Sequence, residues 1–260
     1  SVHLAAARPL AEAGLPLLVE KPFSDRLGGV NDIIDLSARN GAALAVAYNL
    51  RFHPPLQAVR AAVAGGAIGR VLSVQAVAGQ YLPDWRPGTD YRMSASARAE
   101  LGGGVVLELS HEFDYLRWIV GEVRRVSARL AKVSDLEIDV EDTADVMLEF
   151  ESGAVANVHL DMVQRTPVRG CRIAGERGTI VWNGIANQAT LHEPGGGAGI
   201  DLHPAQAIER DHSYRAQMEH FLDCVSGAAR PEVSGEDGRR ALEVALAAKE
   251  SHRIGGVVTL

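Results

Sequence analysis

The sequence predicts an α/β protein, α+β in its C-terminal part, that opens with a parallel sheet and continues with a mainly antiparallel one packed by helices. Three observations lead there. Apolar runs around Leu17 and Leu44 are separated by a helical stretch, the spacing of a βαβ array. After Pro55 and one further helix the period becomes two, with apolar and polar residues alternating as in a sheet wetted on one face. Two long helical patterns then close the chain, near Ser213 to Val225 and Gly238 to Arg253. The change of pattern divides the chain into residues 1–52 and 53–260.

Each element has its local reason. An Ala/Leu-rich helix runs from Val2 to about Ala13, and Gly14 stops it. Leu17-Leu18-Val19 is a short buried strand. A helix from about Leu27 to Asn40 carries Ile33, Ile34 and Leu36 on its apolar side and ends at Gly41; the strand Ala42 to Tyr48 follows. Leu56 to Ala64 is the next helix. Ala144, Val146, Leu148 and Phe150 alternate with polar neighbours, Glu151-Ser152-Gly153 turns, and Ala154 to Met162 alternates again, a hairpin. Gly170 to Ala174 and Thr179 to Trp182 make a second hairpin around Gly175-Glu176-Arg177-Gly178, and Val257 to Leu260 is a last strand. Gly195-Gly196-Gly197-Ala198-Gly199 follows Pro194, precedes no helix and lacks Gly-x-Gly-x-x-Gly spacing, so it reads as a loop between strands, not a phosphate cradle.

Composition narrows the function. The chain has 260 residues, 47% hydrophobic and 23% charged, with a formal net charge of −7. That balance argues against a nucleic-acid partner, which calls for a basic surface. Cys171 and Cys224 stand far apart without a CxxC pair, so they read as reduced and structural, and no metal site is expected. No apolar run reaches the length of a membrane span, and a cytoplasmic location without membrane partners is expected.

Two segments carry titratable groups where chemistry is plausible. Glu20-Lys21-Pro22 follows the Leu17 strand, and ligands of parallel sheets bind beyond the strands' carboxyl ends. The second runs from Gly102-Gly103-Gly104 to Trp118. There Leu109, Phe113, Leu116 and Val120 make an apolar stripe, while Glu108, His111, Glu112 and Tyr115 share the opposite face of one helix. Read functionally, that helix presents a carboxylate and an imidazole to a cleft, and the glycines let a ligand approach the backbone. Read structurally, it is an amphipathic helix with its charges in water. Glu108-x-x-His111 matches the spacing of di-iron bundles, yet only one copy occurs.

Taken together, the motifs resemble the Gfo/Idh/MocA family of NAD(P)-dependent sugar and polyol oxidoreductases along essentially the whole chain. Ala11 to Pro22 resembles its helix-Gly-strand-Glu-Lys-Pro segment and Tyr48 to Pro54 its Arg-Phe-x-Pro junction. Gly65 to Val71 is similar to its Gly-x-Ile-Gly turn, and Gly102 to Gly121 to its active-site helix. Phe221 to Gly227 and the helix ending at Ser251 resemble its C-terminal signature. The resemblance implies a truncated Rossmann-type sheet over residues 1–52, the C-terminal half of a dinucleotide domain whose phosphate-binding loop is missing. Residues 53–260 would then form a substrate-binding domain with a large open sheet.

The same resemblance implies the site. Lys21 and His111 would be the catalytic pair that moves the hydroxyl proton as hydride passes to NAD or NADP, with Asp114 beside them. Where the family often has Asp four residues before the histidine, Leu107 stands here and Glu108 lies three before. Glu108, Tyr91 and Arg92 would contact substrate. Glu20, Pro22, Asn49, Arg51, Trp85 and Arg86 would line the cofactor. The implied substrate is a sugar, polyol or sugar nucleotide, and the implied assembly a homo-dimer or homo-tetramer through the C-terminal sheet. On this reading the chain is a fragment not competent alone. The alternative is a sugar-binding or oligomerisation module without redox activity.

Overall fold

Among residues 2–260, which the computed structural model describes, the strands form two sheets. The smaller is parallel. β1 (Leu17–Val19) pairs with β2 (Leu44–Val46) in the register Leu17 to Leu44. α1 (His3–Glu12) leads into β1, and α2 (Val30–Arg39) crosses between the strands. α2 starts later than the sequence predicts because Gly29, at φ 88°, holds the left-handed conformation just before it. β2 is also shorter than expected, since Ala47 and Tyr48 already turn toward the 3₁₀ segment Asn49–Phe52.

The larger sheet contains β3 (Val71–Gly79), β4 (Val123–Ala131), β5 (Thr143–Phe150), β6 (Val155–Asp161), β7 (Val168–Gly175), β8 (Gly178–Asn183), β9 (Gln188–His192), β10 (Ile200–His203) and β11 (Val258–Thr259). Its order is β10-β9-β8-β7-β3-β6-β5-β4-β11. All neighbours are antiparallel except β3 and β6, a parallel pair in the middle that the alternating pattern alone did not disclose. Both predicted hairpins form, β5 with β6 and β7 with β8. The 195–199 glycines lie in the connection from β9 to β10, as a loop.

One face of this sheet is dry. Ala144, Val146, Leu148 and Phe150 point inward and are fully buried, while Met147 on the same strand is exposed. Helices cover the inner face: α3 (Pro54–Ala64), the short α4 (Val105–Glu108), α5 (His111–Val120) and α7 (Gly235–Ile254), with α6 (His212–Val225) packed beside the 49–52 turn. α7 also ties the two sheets together. Just before it, the Val233 carbonyl accepts from the Val46 N–H at 3.1 Å, and Gly238 lies so close to β2 that a methyl there would meet Val46 Cβ at 2.9 Å. The last helix thereby closes the open side of the first sheet.

Candidate active site

Lys21 leaves the carboxyl end of β1 and reaches a break in the helix. The sequence pattern suggests one continuous helix through Glu108 and His111, but α4 stops at Glu108 and α5 begins at His111. At the break the Glu112 N–H bonds back only three residues, to the Leu109 carbonyl at 3.3 Å. The Glu108 carbonyl, which an unbroken helix would have used, instead accepts from Lys21 Nζ at 2.8 Å. The Glu108 carboxylate lies 3.8 Å from the same ammonium. The three-residue spacing from Glu108 to His111 thus spans a kink, which lets a carboxylate, a lysine and a histidine converge.

His111 is 9% exposed, and its Nδ1 is buried with no hydrogen-bond partner. Its ring meets the edge of Tyr48 with centroids 5.4 Å apart, and the Tyr48 hydroxyl bonds Ser110 Oγ at 3.2 Å. Burial, then the positive charges of Lys21 and Arg169, hold the imidazole pKa well below its ordinary value. His111 is therefore neutral near pH 7 and able to accept a proton. The geometry suits a base more than a cation.

The rest of the expected polar face turns inward. Glu112 is wholly buried and pairs with Arg169 of β7, whose Nε lies 2.9 Å from Oε1. Burial raises the Glu112 pKa, with Arg169 pulling the other way. Tyr115 is also fully buried, stacked edge-on against Trp182 at 5.4 Å. Beside it the Cys171 thiol is pushed up to about 12, mainly by burial and then by Glu112, so it is inert as a nucleophile. The amphipathic reading with charges in water is overturned. α5 lies between the sheet, α3 and α7, and buries nearly every side.

Asp114 serves the junction between the two parts. It accepts from Arg51 Nε at 3.0 Å and Nη2 at 2.7 Å, a two-pronged pair. Arg51 also donates to the Glu232 carbonyl at 2.9 Å and to Asp237 at 3.1 Å, and lies 5.7 Å from the Trp118 ring. Each nitrogen of the guanidinium thus has a partner within the protein. Asn49 is similarly occupied, donating to Ser213 Oγ at 2.8 Å in the interior. Glu20 is exposed beside Lys21, Pro22 is buried, and the Lys21–Pro22 peptide is cis.

The other expected contacts stand on the loop after β3. Trp85 Nε1 donates to the Gln80 carbonyl at 2.9 Å, and Arg86 is exposed beside it. Arg92 is paired with Asp90 and Glu137 at the surface, and the Tyr91 hydroxyl accepts from the Glu137 N–H at 3.2 Å. The three glycines are a correction too. A methyl on Gly103 would strike the Ala95 carbonyl and come within 2.7 Å of the Ser96 carbonyl, while one on Gly104 would strike the Glu141 carboxylate. They are small because the loop packs on itself. Among the described residues, no three His, Cys, Asp or Glu side chains gather in a metal-binding group, and no helix is long and apolar enough to cross a membrane.

Arg169 and Asp237 lay outside the sequence reading. Asp237 had a legible signal, the Ser234-x-x-Asp237 capping box that opens α7. Arg169 had none, being one basic residue at the start of a strand.

Comparison with known proteins gives the family and the fold. The family model described as the GFO/IDH/MocA C-terminal domain matches residues 56–181. Myo-inositol 2-dehydrogenase of Thermotoga maritima is 30% identical over 253 residues, covering 93% of this chain and 71% of that protein. The chain belongs to the Gfo/Idh/MocA family. Another relative, the 1,5-anhydro-D-fructose reductase of Ensifer adhaerens, is 27% identical over 250 residues, 94% of this chain and 72% of that one. Family likeness extends to solved structures. Levoglucosan dehydrogenase in complex with NADH matches with a TM-score of 0.89 over 99% of this chain and 77% of that one; at 22% identity it speaks for the fold. An oxidoreductase of Agrobacterium radiobacter in complex with NAD+, L-tartaric acid and magnesium matches at 0.83 and 25% identity, over the same shares of the two chains.

Proposed function

We propose that this family member oxidises a hydroxyl of a sugar, polyol or sugar nucleotide, or reduces the matching carbonyl, with NAD or NADP as the hydride partner. The observation that carries the reading is the junction at the helix kink, where Lys21 is moored to the Glu108 carbonyl beside a neutral, buried His111. Family relatives named as inositol dehydrogenases and a sugar reductase support the substrate class. The Agrobacterium radiobacter oxidoreductase, solved in complex with NAD+, supports the cofactor.

The residues present fit a nicotinamide. The carboxyl ends of β1 and β2 bring Glu20 to Pro22 and Ala47 to Asn49 to one edge of the parallel sheet, where such sheets receive ligands. Glu20, Pro22, Trp85 and Arg86 would line it. NAD or NADP supplies the hydride acceptor or donor. His111 takes the proton of the reacting hydroxyl, which its depressed pKa allows at neutral pH. Lys21, fixed at one N–H by Glu108, turns its remaining donors to the same oxygen and stabilises negative charge as the proton departs. Glu108 holds Lys21 in place, and Tyr91 and Arg92 would contact substrate. Residues 1–52 would carry the cofactor side and 53–260 the substrate side. The exposed sheet face, with Met147 and Val155 outward, would join subunits.

The test is the reduction of NAD+ and NADP+ by a panel of sugars, polyols and nucleotide sugars. Turnover with one of them is expected, and Lys21→Ala and His111→Ala should each lower it by about 10² or more. Sugar binding without reduction of either cofactor would favour the non-catalytic module instead.

A further inference from the structure

The kink leaves one cation unaccounted for. Arg169, second residue of β7, is paired to Ala78 of β3, and its guanidinium faces Glu112: Nε forms an ion pair with Oε1 at 2.9 Å and Nη2 donates to Oε2 at 3.4 Å. Nη1 has no hydrogen bond among the described residues, and the side chain keeps 27% of its exposure while its partner carboxylate has none. The pair therefore shows water only its positive half. A desolvated carboxylate behind a guanidinium fixes that guanidinium in direction, which cuts the ordering cost of binding.

Arg169 also stands next to the reaction site, because its partner Glu112 directly follows His111 at the start of α5. Its charge and that of Lys21 act together on His111 and on Glu112. The two cations differ in one respect. Lys21 has the Glu108 carboxylate 3.8 Å away and still 18% exposed, so an anion arriving there meets a like charge. At Arg169 the paired carboxylate, Glu112, is sealed behind it. We propose, resting on the sugar-oxidoreductase reading, that Arg169 is the specificity-determining residue of this site and selects sugars carrying a negative group, a carboxylate or a phosphate. The negative group binds at the free edge of Arg169, and the reacting carbinol faces Lys21 and His111. Planar, two-pronged recognition suits a guanidinium better than an ammonium, so lysine at this position should not substitute fully.

Binding isotherms of this chain, with and without NADH, for D-glucuronate, D-glucose 6-phosphate and D-glucose test the proposal. At least one acidic sugar should bind about tenfold or more tighter than glucose, the size of one charge-assisted hydrogen bond, and raised salt should narrow the gap. Comparing the two acids tells carboxylate from phosphate. Arg169→Gln should bring the ratio to about one, and Arg169→Lys should leave it in between. Because Arg169→Gln strands a buried carboxylate, the double variant Arg169→Gln/Glu112→Gln provides the folded control and should show the same loss. Equal binding of acidic and neutral sugars, or a preference that survives both variants, overturns the proposal. Neither result bears on hydride transfer, which fails or holds by cofactor reduction alone.

Discussion

Arg51 grips Asp114 with two hydrogen bonds, at 3.0 and 2.7 Å, and both side chains are almost wholly shielded from water. Burial works against the guanidinium's charge, but Asp114 and then Asp237 outweigh it and hold Arg51 more firmly protonated than usual. The pair joins the 49–52 turn to α5, and Asp237 adds α7. Arg51→Met should therefore cost about 3–5 kcal/mol, the price of a buried charge left alone. Arg51→Met/Asp114→Leu should recover much of it. Urea unfolding of the three proteins measures both differences, and a single variant within about 0.5 kcal/mol of the parent would show the pair to be passive.

Gly103 makes a second prediction. Its neighbours are main-chain carbonyls, at 2.7 Å from Ser96 and 2.9 Å from Arg98 for an added methyl, and backbone cannot rotate aside as a side chain does. Gly103→Ala should destabilise by about 1–3 kcal/mol through overpacking. Gly28, which has open space around it, should tolerate alanine with little change. Thermal unfolding of the two variants side by side decides whether the glycine run is there for packing; equal melting temperatures would return it to the ligand.

How far the sequence could be read follows from the range of each interaction. The strands at 17–19, the two hairpins and the closing helices were legible because their signals are local: period, turn residues and glycine stops. Lys21 and His111 were singled out only through motif resemblance, and their approach depends on a break at Leu109 and Ser110 that no residue there announces. The burial of Glu112 and Tyr115 was misread, because an amphipathic pattern does not reveal that a sheet strand brings its own arginine to the polar face. Arg51 and Asp114 were both singled out, but for cofactor and catalysis; that they hold each other depends on a contact across 63 residues of sequence.

The buried histidines set a pH dependence. His111 and His53 both have pKa values below their ordinary 6.5, in each case chiefly from burial. The unfolded chain takes up protons at these positions as pH falls through about 6.5, while the folded chain resists, so stability should drop from that point downward. The slope is about 1.4 kcal/mol per pH unit for each proton of difference, and it ends at the folded pKa. Glu112, raised by burial, contributes the opposite slope once pH reaches the carboxylate range. Denaturation midpoints at several pH values should show the fall, and His111→Asn should flatten it in part.

Lys21 and His111 should also be coupled when no substrate is present. The ammonium disfavours the imidazolium, so Lys21→Met should raise the His111 pKa toward its ordinary value. Arg169→Gln should shift it in the same direction, and by less, since Arg169 contributes less than Lys21. Imidazole nitrogen shifts followed by NMR against pH report the titration directly. The kinetic consequence has a definite sign. With Lys21 gone, the acidic limb of turnover moves to higher pH as His111 becomes protonated sooner, in addition to the loss of about 10² at the optimum. An unchanged His111 titration in Lys21→Met would mean that the two groups act independently, and that the mooring of Lys21 on the Glu108 carbonyl serves only to hold the kink.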